Sequence, residues 1–399
     1  MKAVILAAGE STRTYPLTVT RPKPLLKVAN KTLLQHNLQQ LEGIVDEVII
    51  VVGYKKEMII EKFGNDYNGI KLTYVIQEKK LGTGHALLQA EKHIGAGNFL
   101  VLNGDDLYSS VDLLALSKEK NTALAVEREN PSSFGVFFME NGIVYDLVEK
   151  PEGLEKGLCN IGCFVLDDEI FSLLKNIKAS SRDEYELTDG ILELIKKKKF
   201  NVKKAQGLWV PVTFAWSLLD ANEKLLETLE NNVEGVVEEN VTIKGNMTLG
   251  ENSIVMSGVY IEGNVKIGKN CKIGPNTYIR GPTSIGDNCR IGPAEIKASV
   301  FFDGCRCDHV SYIGDSVLGE NAHIGGHTAV ANLRHDKKLH RSMVKGKLVD
   351  TGRKKLGVIL GDDTDTGINT SFYPARKMWP GTFTVPSQVV KEDIKNNAG

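Results

Sequence analysis

At 399 residues the chain exceeds what one hydrophobic core usually organises, and its 42% apolar composition supplies material for two ordinary domains. With 49 Lys and Arg against 50 Asp and Glu the formal net charge is -1, which excludes the basic footprint that wrapping nucleic acid requires and leaves small anionic ligands open. No apolar run approaches the roughly 20 residues that cross a bilayer, the opening MKAVILAAGE is too short for a secretion signal, and the six cysteines form no C-x-x-C pair. These features point to a cytoplasmic protein with reduced thiols and no membrane or nucleic-acid partner.

From Lys2 to about residue 230, short aliphatic runs (AVILAAG, DEVIIVVG, NFLVLNGD) alternate with segments of helical periodicity, the pattern of an α/β doubly wound sheet. Ligands of such sheets sit at the carboxyl ends of strands, where the glycine turn after AVILAA and the GDD after NFLVLN fall. That turn exposes backbone N–H groups, and Arg13 and Lys23 add positive charge, an arrangement suited to a polyphosphate although G-K-[ST] is absent. Trp216 to Asn232 places Leu218, Leu219, Leu225, Leu226 and Leu229 along one side of a helix and reads as a connector, giving domains 1–230 and 231–399.

Beyond the connector, aliphatic residues recur every sixth position: Val237, Ile243, Leu249, Val255, Ile261, Ile267, Ile273, Ile279, Ile285 and Ile291. A six-residue period is neither helical nor simple strand alternation. It fits a hexapeptide repeat, one short strand and one turn per side of a triangular coil, with Gly and Asn at corners that need positive φ. The register slips after Ile291 and recovers at Ile313, which marks an inserted loop or a site. His309 lies in that irregular stretch, beside a tyrosine, and imidazole titrates near neutrality. His327 and His335 have no pattern of their own, and no histidine spacing supports zinc.

The string LAAGESTRTYPLTVTRPKPLL resembles the signature LAAGxGTRxxPLTxxRPKP of sugar-1-phosphate nucleotidylyltransferases, and later segments match that family in order over most of residues 1–230. The resemblance implies a Rossmann-like nucleotidyltransferase domain in which Leu6, Ala7, Ala8 and Gly9 meet the nucleoside of UTP or dTTP. It gives Arg13 and Lys23 the phosphates, and Gln77, Gly82 and Thr83 the base. Asp105 is similar to the family's Mg²⁺ ligand, and Gly135, Glu149 and Asn160 fall where the family contacts the sugar; EYELTD, 184–189, matches a further segment. Two positions depart from the pattern. Ser11 stands for the second glycine of G-x-G-T-R, and Pro211 stands where the family has a second metal-binding acid.

HVSYIGD resembles the H-x-[ST]-Y-x-G-D segment of the acetyltransferase half of bifunctional N-acetylglucosamine-1-phosphate uridylyltransferases, most closely the archaeal two-domain members. This implies a left-handed parallel β-helix, acetyl-CoA as co-substrate and a homotrimer. In it His309 is the base that deprotonates a hexosamine 1-phosphate, Tyr312 and Asn332 position that acceptor, and Lys338 and Arg341 lie near its phosphate; Lys354 and Lys355 add cation density. The final stretch, TGINTSFYPARKMWPGTFTVPSQVV, lacks regular I-G hexads. Bifunctional synthesis of UDP-N-acetylglucosamine is the expected activity. Two alternatives stay open: nucleotidyl transfer alone, from glucose 1-phosphate with dTTP or UTP, the coil serving as a scaffold; and a non-catalytic subunit that senses sugar nucleotides, for which Pro211 speaks.

Overall fold

The computed structural model describes residues 1–180 and 183–396. They pack as two units: the first comprises residues 1–10, 22–24 and 33–209, the second 11–21, 25–32 and everything from Val210 onward. The connector helix, observed at Ser217–Leu226, therefore packs with the second unit, whereas the sequence reading grouped it with the first domain.

The first unit is built on a ten-stranded sheet. Its centre is four parallel strands in the order Ile70–Ile76, Glu47–Val52, Lys2–Ala7, Phe99–Asn103, extended past Phe99–Asn103 by the antiparallel strand Lys156–Leu166. Val4, Ile49, Val101 and Phe164 are fully or almost fully buried because helices cover the sheet, which is why these strands read as unbroken aliphatic runs. Lys2–Ala7 pairs with Glu47–Val52 on one side and Phe99–Asn103 on the other, so chain order reverses at this strand. Its carboxyl end is the position at which such sheets open a ligand crevice.

The second unit contains three parallel sheets of eight, seven and eight strands, visited in rotation by strands of two or three residues. Partners in the early turns lie 18 residues apart, as Ile254 with Lys272 and Lys272 with Arg290, which is three hexads per turn. The residues of the six-residue period from Leu249 to Ile291 are at most 2% exposed and form one column-like core with Ile313, Leu318 and Ile324. Each such aliphatic contributes about 1.5–3 kcal/mol by leaving water. Val237 and Ile243, at the open end, are exposed instead. Asn252, Asn270, Asn288 and Asn321 take left-handed φ at successive corners, the conformation that asparagine tolerates best after glycine. His327 holds the same conformation at another corner.

The register slip after Ile291 has a definite origin. Ile273 to Tyr278 and Cys307 to Tyr312 each span a corner of five steps, but Ile291 to Glu295 takes four. A further residue is missing between Lys297 and Val300, so later partners are 17 apart, as Tyr312 with Ala329. The inserted loop comes afterwards: Val317 pairs with Ile359 and Ala329 with Ser371, and the extra residues include an antiparallel hairpin of Arg341–Val344 with Lys347–Asp350. Contrary to the expectation from the missing I-G hexads, the final coils are regular, since Ile359 pairs with Lys377 and Ser371 with Val389 at the original spacing. Threonines do there what glycines do earlier. Thr366, Thr370 and Thr384 are buried, and their hydroxyls bond backbone or one another across turns.

Candidate functional site

In the first unit the ends of the two central strands meet closely. The Gly104 N–H donates to Leu6 O at 2.9 Å, and a Cβ at Gly104 would stand 2.8 Å from that oxygen and 3.1 Å from Ala7 Cβ. A Cβ at Gly53 would come within 2.7 Å of Ala8 O. Glycine at both positions lets the Leu6–Gly9 backbone lie against its neighbours, with Gly9 exposed. The next residue on that strand end, Asp105, accepts from Lys23 Nζ at 2.6 Å; Lys23 is buried while the carboxylate is 38% exposed. A cation and a carboxylate named separately in the sequence are thus one pair.

Gln77 is buried and its Nε2 donates to Gly82 O at 3.0 Å, joining the two expected base-reading elements. Gly82 has φ +96°, and a Cβ there would strike Tyr185 O at 2.7 Å. Gly84 N bonds Tyr185 O, Tyr185 N bonds Leu81 O, and Leu187 N donates to Thr83 Oγ1 at 3.0 Å, so EYELTD clasps the LGTGHA turn. The three expected sugar residues also converge: Gly135 pairs with Glu149, and a Cβ on Gly135 would meet Glu149 Oε2 at 2.9 Å and Asn160 Cβ at 3.7 Å. Asn160 Oδ1 accepts from Gly162 N, whose residue faces Asn103 so closely that no side chain fits. Tyr108, held protonated by burial and by Asp106 and Asp105, donates to Ile161 O at 2.8 Å and fixes the same corner.

Arg13 is exposed on the short helix Thr12–Thr14, which packs with the second unit. Ser11 adopts φ 54°, ψ 52°, where the glycine of the resembled signature is at ease and a side chain costs about 1–2 kcal/mol. Its carbonyl accepts from Thr14 N, Thr14 Oγ1 and Thr18 Oγ1, which holds the conformation. For Mg²⁺, no group of three or more acidic, histidine or cysteine side chains clusters among the described residues, and Asp106 Oδ2 accepts from the Trp209 indole at 3.3 Å. Mg²⁺ usually takes one or two carboxylates plus substrate phosphates, and half-exposed Asp105 fits that donor set alone.

In the second unit His309 is exposed at the corner preceding the strand Tyr312–Gly314. With Lys272, Arg290, Arg306 and Asp308 it lines a groove of about 360 Å³, floored by Gly292 and Pro293 of the shortened corner. The three cations occupy successive paired positions, and Asp308 is the carboxylate against Arg306 and Arg290. The next face brings the expected acceptor residues together: Asn332 Nδ2 donates to Tyr312 OH at 3.0 Å and to Asp315 Oδ2 at 2.6 Å. Burial raises the Tyr312 pKa, so its hydroxyl stays protonated. Lys338 and Arg341 are exposed on the inserted loop.

Four groups here escaped the sequence reading. Lys297 pairs with Asp315 at 3.2 Å, and Arg280 with Glu295 at 3.3 Å, one turn below Tyr312. The 17-residue step from Arg280 to Lys297 was the signal for those. Buried Asp315 and His340 had none: His340 Nε2 lies 2.9 Å from Asn332 O, and burial lowers its pKa.

A doubly wound sheet with a cation–carboxylate pair at its switch point, followed by stacked parallel coils, defines a nucleotidyltransferase joined to a repeat domain. A family model described as nucleotidyl transferase matches residues 2–228, and one described as GMPPB C-terminal domain matches 255–373. The protein named bifunctional protein GlmU in Methanocaldococcus jannaschii is 40% identical over 400 residues, covering 100% of this chain and 96% of that one. A protein of the same name in Methanococcus maripaludis strain C7 is 44% identical over 404 residues, with the same shares covered. The bifunctional sugar-1-phosphate nucleotidylyltransferase/acetyltransferase of Sulfurisphaera tokodaii is 36% identical over 403 residues, 99% and 98% of the two chains. A UDP-glucose pyrophosphorylase solved with UDP-glucose superposes with a TM-score of 0.52 at 27% identity, over 57% of this chain and 99% of that one. The chain belongs to the nucleotidyl transferase family and, over its full length, to the bifunctional nucleotidylyltransferase/acetyltransferases.

Proposed function

We propose that the chain makes UDP-N-acetylglucosamine in two steps, acetylating glucosamine 1-phosphate and then transferring a uridylyl group to the product. The observation that carries this reading is that one chain holds both the Lys23–Asp105 pair at the sheet's switch point and the Tyr312–Asn332–Asp315 cluster one corner beyond His309.

In the first step the 2-amino nitrogen attacks the thioester carbonyl of acetyl-CoA, the C–S bond breaks, the amine proton passes to His309, and the thiolate leaves to be protonated. An ammonium is no nucleophile, so the base is required. Asn332, with both its Nδ2 bonds fixed, holds the Tyr312 hydroxyl for the acceptor, and Lys297, Arg280, Lys338 and Arg341 supply charge for its phosphate. The groove beside His309 and the coil's flat faces support a left-handed β-helical homotrimer with the acyl donor between neighbours.

In the second step the sugar-phosphate oxygen attacks the α-phosphorus in line and pyrophosphate leaves. No general base is needed, because the attacking phosphate is already ionised; the task is charge neutralisation. Lys23 and Arg13 hold the phosphates, Gln77, Gly82 and Thr83 read the base, Leu6 to Gly9 carry the nucleoside, and Gly135, Glu149 and Asn160 carry the sugar. Mg²⁺ arriving with the triphosphate would be held by Asp105 and would screen the negative charges of both reactants. Six unpaired cysteines, and no helix among the described residues long and apolar enough to cross a membrane, accord with a cytoplasmic enzyme.

The test is purified protein with glucosamine 1-phosphate and acetyl-CoA, then with UTP, Mg²⁺ and N-acetylglucosamine 1-phosphate, measuring thiol and pyrophosphate. Both should appear. Pyrophosphate alone would leave the coil a scaffold, and neither product would leave a binding subunit.

A further inference from the structure

We propose that Arg21 is a positioning residue for nucleotidyl transfer, clamping the segment that contains Lys23 to a ladder of corner carboxylates on the coil. This rests on the reading of Lys23 as a phosphate ligand in the first unit.

Two residues past the strands Thr283–Ile285, Val300–Phe301, Val317–Leu318 and Val358–Leu360, four turns of the coil place an acid at the same corner: Asp287, Asp303, Glu320 and Asp362. The aspartates use Oδ1 within the coil, accepting the backbone N–H of the turn below. Asp287 takes Lys269 N at 2.7 Å, Asp303 takes Asp287 N at 2.9 Å, and Asp362 takes Glu320 N at 2.8 Å. Two of the second oxygens point away and are taken by residues 20–27. Asp362 Oδ2 accepts from Arg21 Nη2 and from Thr20 Oγ1, each at 2.5 Å, Glu320 Oε2 accepts from Arg21 Nη2 at 2.5 Å, and Asp303 Oδ2 accepts from Lys27 Nζ. Asn30 Nδ2 continues the descent to Ile285 O at 2.7 Å.

Arg21 is 8% exposed, and its guanidinium stands 5.5 Å over the Phe302 ring. Its Nε has no partner, so the side chain holds this place despite one unmet donor. Two carboxylates against one buried fork make a rigid joint, because a buried charge that loses its partner is far costlier than an exposed one. Between Arg21 and Lys27, both tied to the coil, lies Pro22-Lys23-Pro24, whose prolines fix φ on either side of Lys23. The lysine that meets Asp105 is thereby delivered from a backbone anchored at both ends. Nothing in the chemistry of phosphoryl transfer requires Arg21 itself; its effect runs through the placement of Lys23.

The experiment uses the full chain with Arg21→Lys, Arg21→Ala and Asp303→Asn, measuring pyrophosphate release, thiol release and amide hydrogen exchange over residues 11–27. Misplacement of a charge by about 1 Å costs on the order of 10²-fold in rate, so Arg21→Ala should lower kcat for pyrophosphate by about that factor, with KM for UTP changed less. Arg21→Lys should restore part of it. Thiol release should equal that of the wild type, and exchange over 11–27 should quicken. Unchanged pyrophosphate release, or a proportional loss of both activities, overturns the proposal. If Arg21→Ala does not fold, Asp303→Asn gives the same readout through Lys27. A wild-type chain that releases no pyrophosphate would defeat the nucleotidyltransferase reading instead, and exchange would still decide the clamp: quickened in the variants it stands, unaltered it falls.

Discussion

Lys377 should make this protein more stable at alkaline pH, and Lys377→Met should remove that gain. The side chain is 1% exposed, its Nζ donates to Met343 O at 2.8 Å, and it stands 5.5 Å from the centre of the Trp216 ring. Burial outweighs the attraction of Asp393, with Arg376 and Lys395 opposing the charge as well, and the pKa falls from 10.5 to about 8. At ~1.36 kcal/mol per unit this is a charging cost of about 3 kcal/mol at neutral pH. Below pH 8 the native and unfolded chains both hold the proton and the cost is constant. Between about 8 and 10.5 only the unfolded chain holds it, so stability rises with pH; above that window neither does. Unfolding free energies from urea titrations at pH 7 and pH 10 should therefore rise by about 2.5 kcal/mol more in the wild type than in Lys377→Met. Buried cysteines and tyrosines also titrate in this range, but they are common to both proteins and cancel in the difference. A difference near zero would mean that the ammonium is hydrated in solution and that the hairpin carrying Met343 does not stay docked on it.

Three further substitutions test the sites directly. His309→Ala should lower thiol release by about 10²–10⁴-fold while sparing pyrophosphate release; unchanged acetylation would remove His309 from the role of base. Asn332→Ala leaves buried Asp315 and the Tyr312 hydroxyl without their donor, at about 1–3 kcal/mol, and should raise KM for glucosamine 1-phosphate in the thiol assay. Gly82→Ala, at φ +96° with Tyr185 O in the way, should cost about 1–3 kcal/mol in thermal unfolding and raise KM for UTP. An unaltered melting curve would mean that the turn relaxes freely.

The six-residue period made the coil legible because inward aliphatics must recur once per side whatever the corners contain; Ile267, Ile273 and Ile279 are buried as that rule demands. It failed at the final turns because threonine hydroxyls there satisfy the corner carbonyls that I-G hexads otherwise manage, and Thr370 carries no aliphatic signature. The alternating aliphatic runs gave the sheet, yet nothing local in residues 11–32 shows that most of them pack with the coil, since Arg21 and Asp362 are far apart in sequence. Convergence of Gly135, Glu149 and Asn160 was implied by resemblance alone, and the antiparallel pairing of Gly135 with Glu149 now gives it a physical reason. His340 and Asp315 were invisible because their importance lies in what they touch.

The shortened corner under His309 explains why a repeat so regular hosts a site at this turn. A residue lost from a strand would have flipped every following side chain to the other face. Here one is lost from the corner between Ile291 and Glu295, so Ile279, Ile296 and Ile313 still point inward and pair in succession. The corners above and below keep their length, and the one carrying Asp308 and His309 overhangs Gly292 and Pro293. A deletion that leaves the core untouched thus creates a recess lined by Arg290, Arg306 and His309, opening just before the strand that presents Tyr312. Restoring the corner to five steps would fill the recess without disturbing the pairing of any strand, which makes the recess a property of corner length and not of the residues that line it.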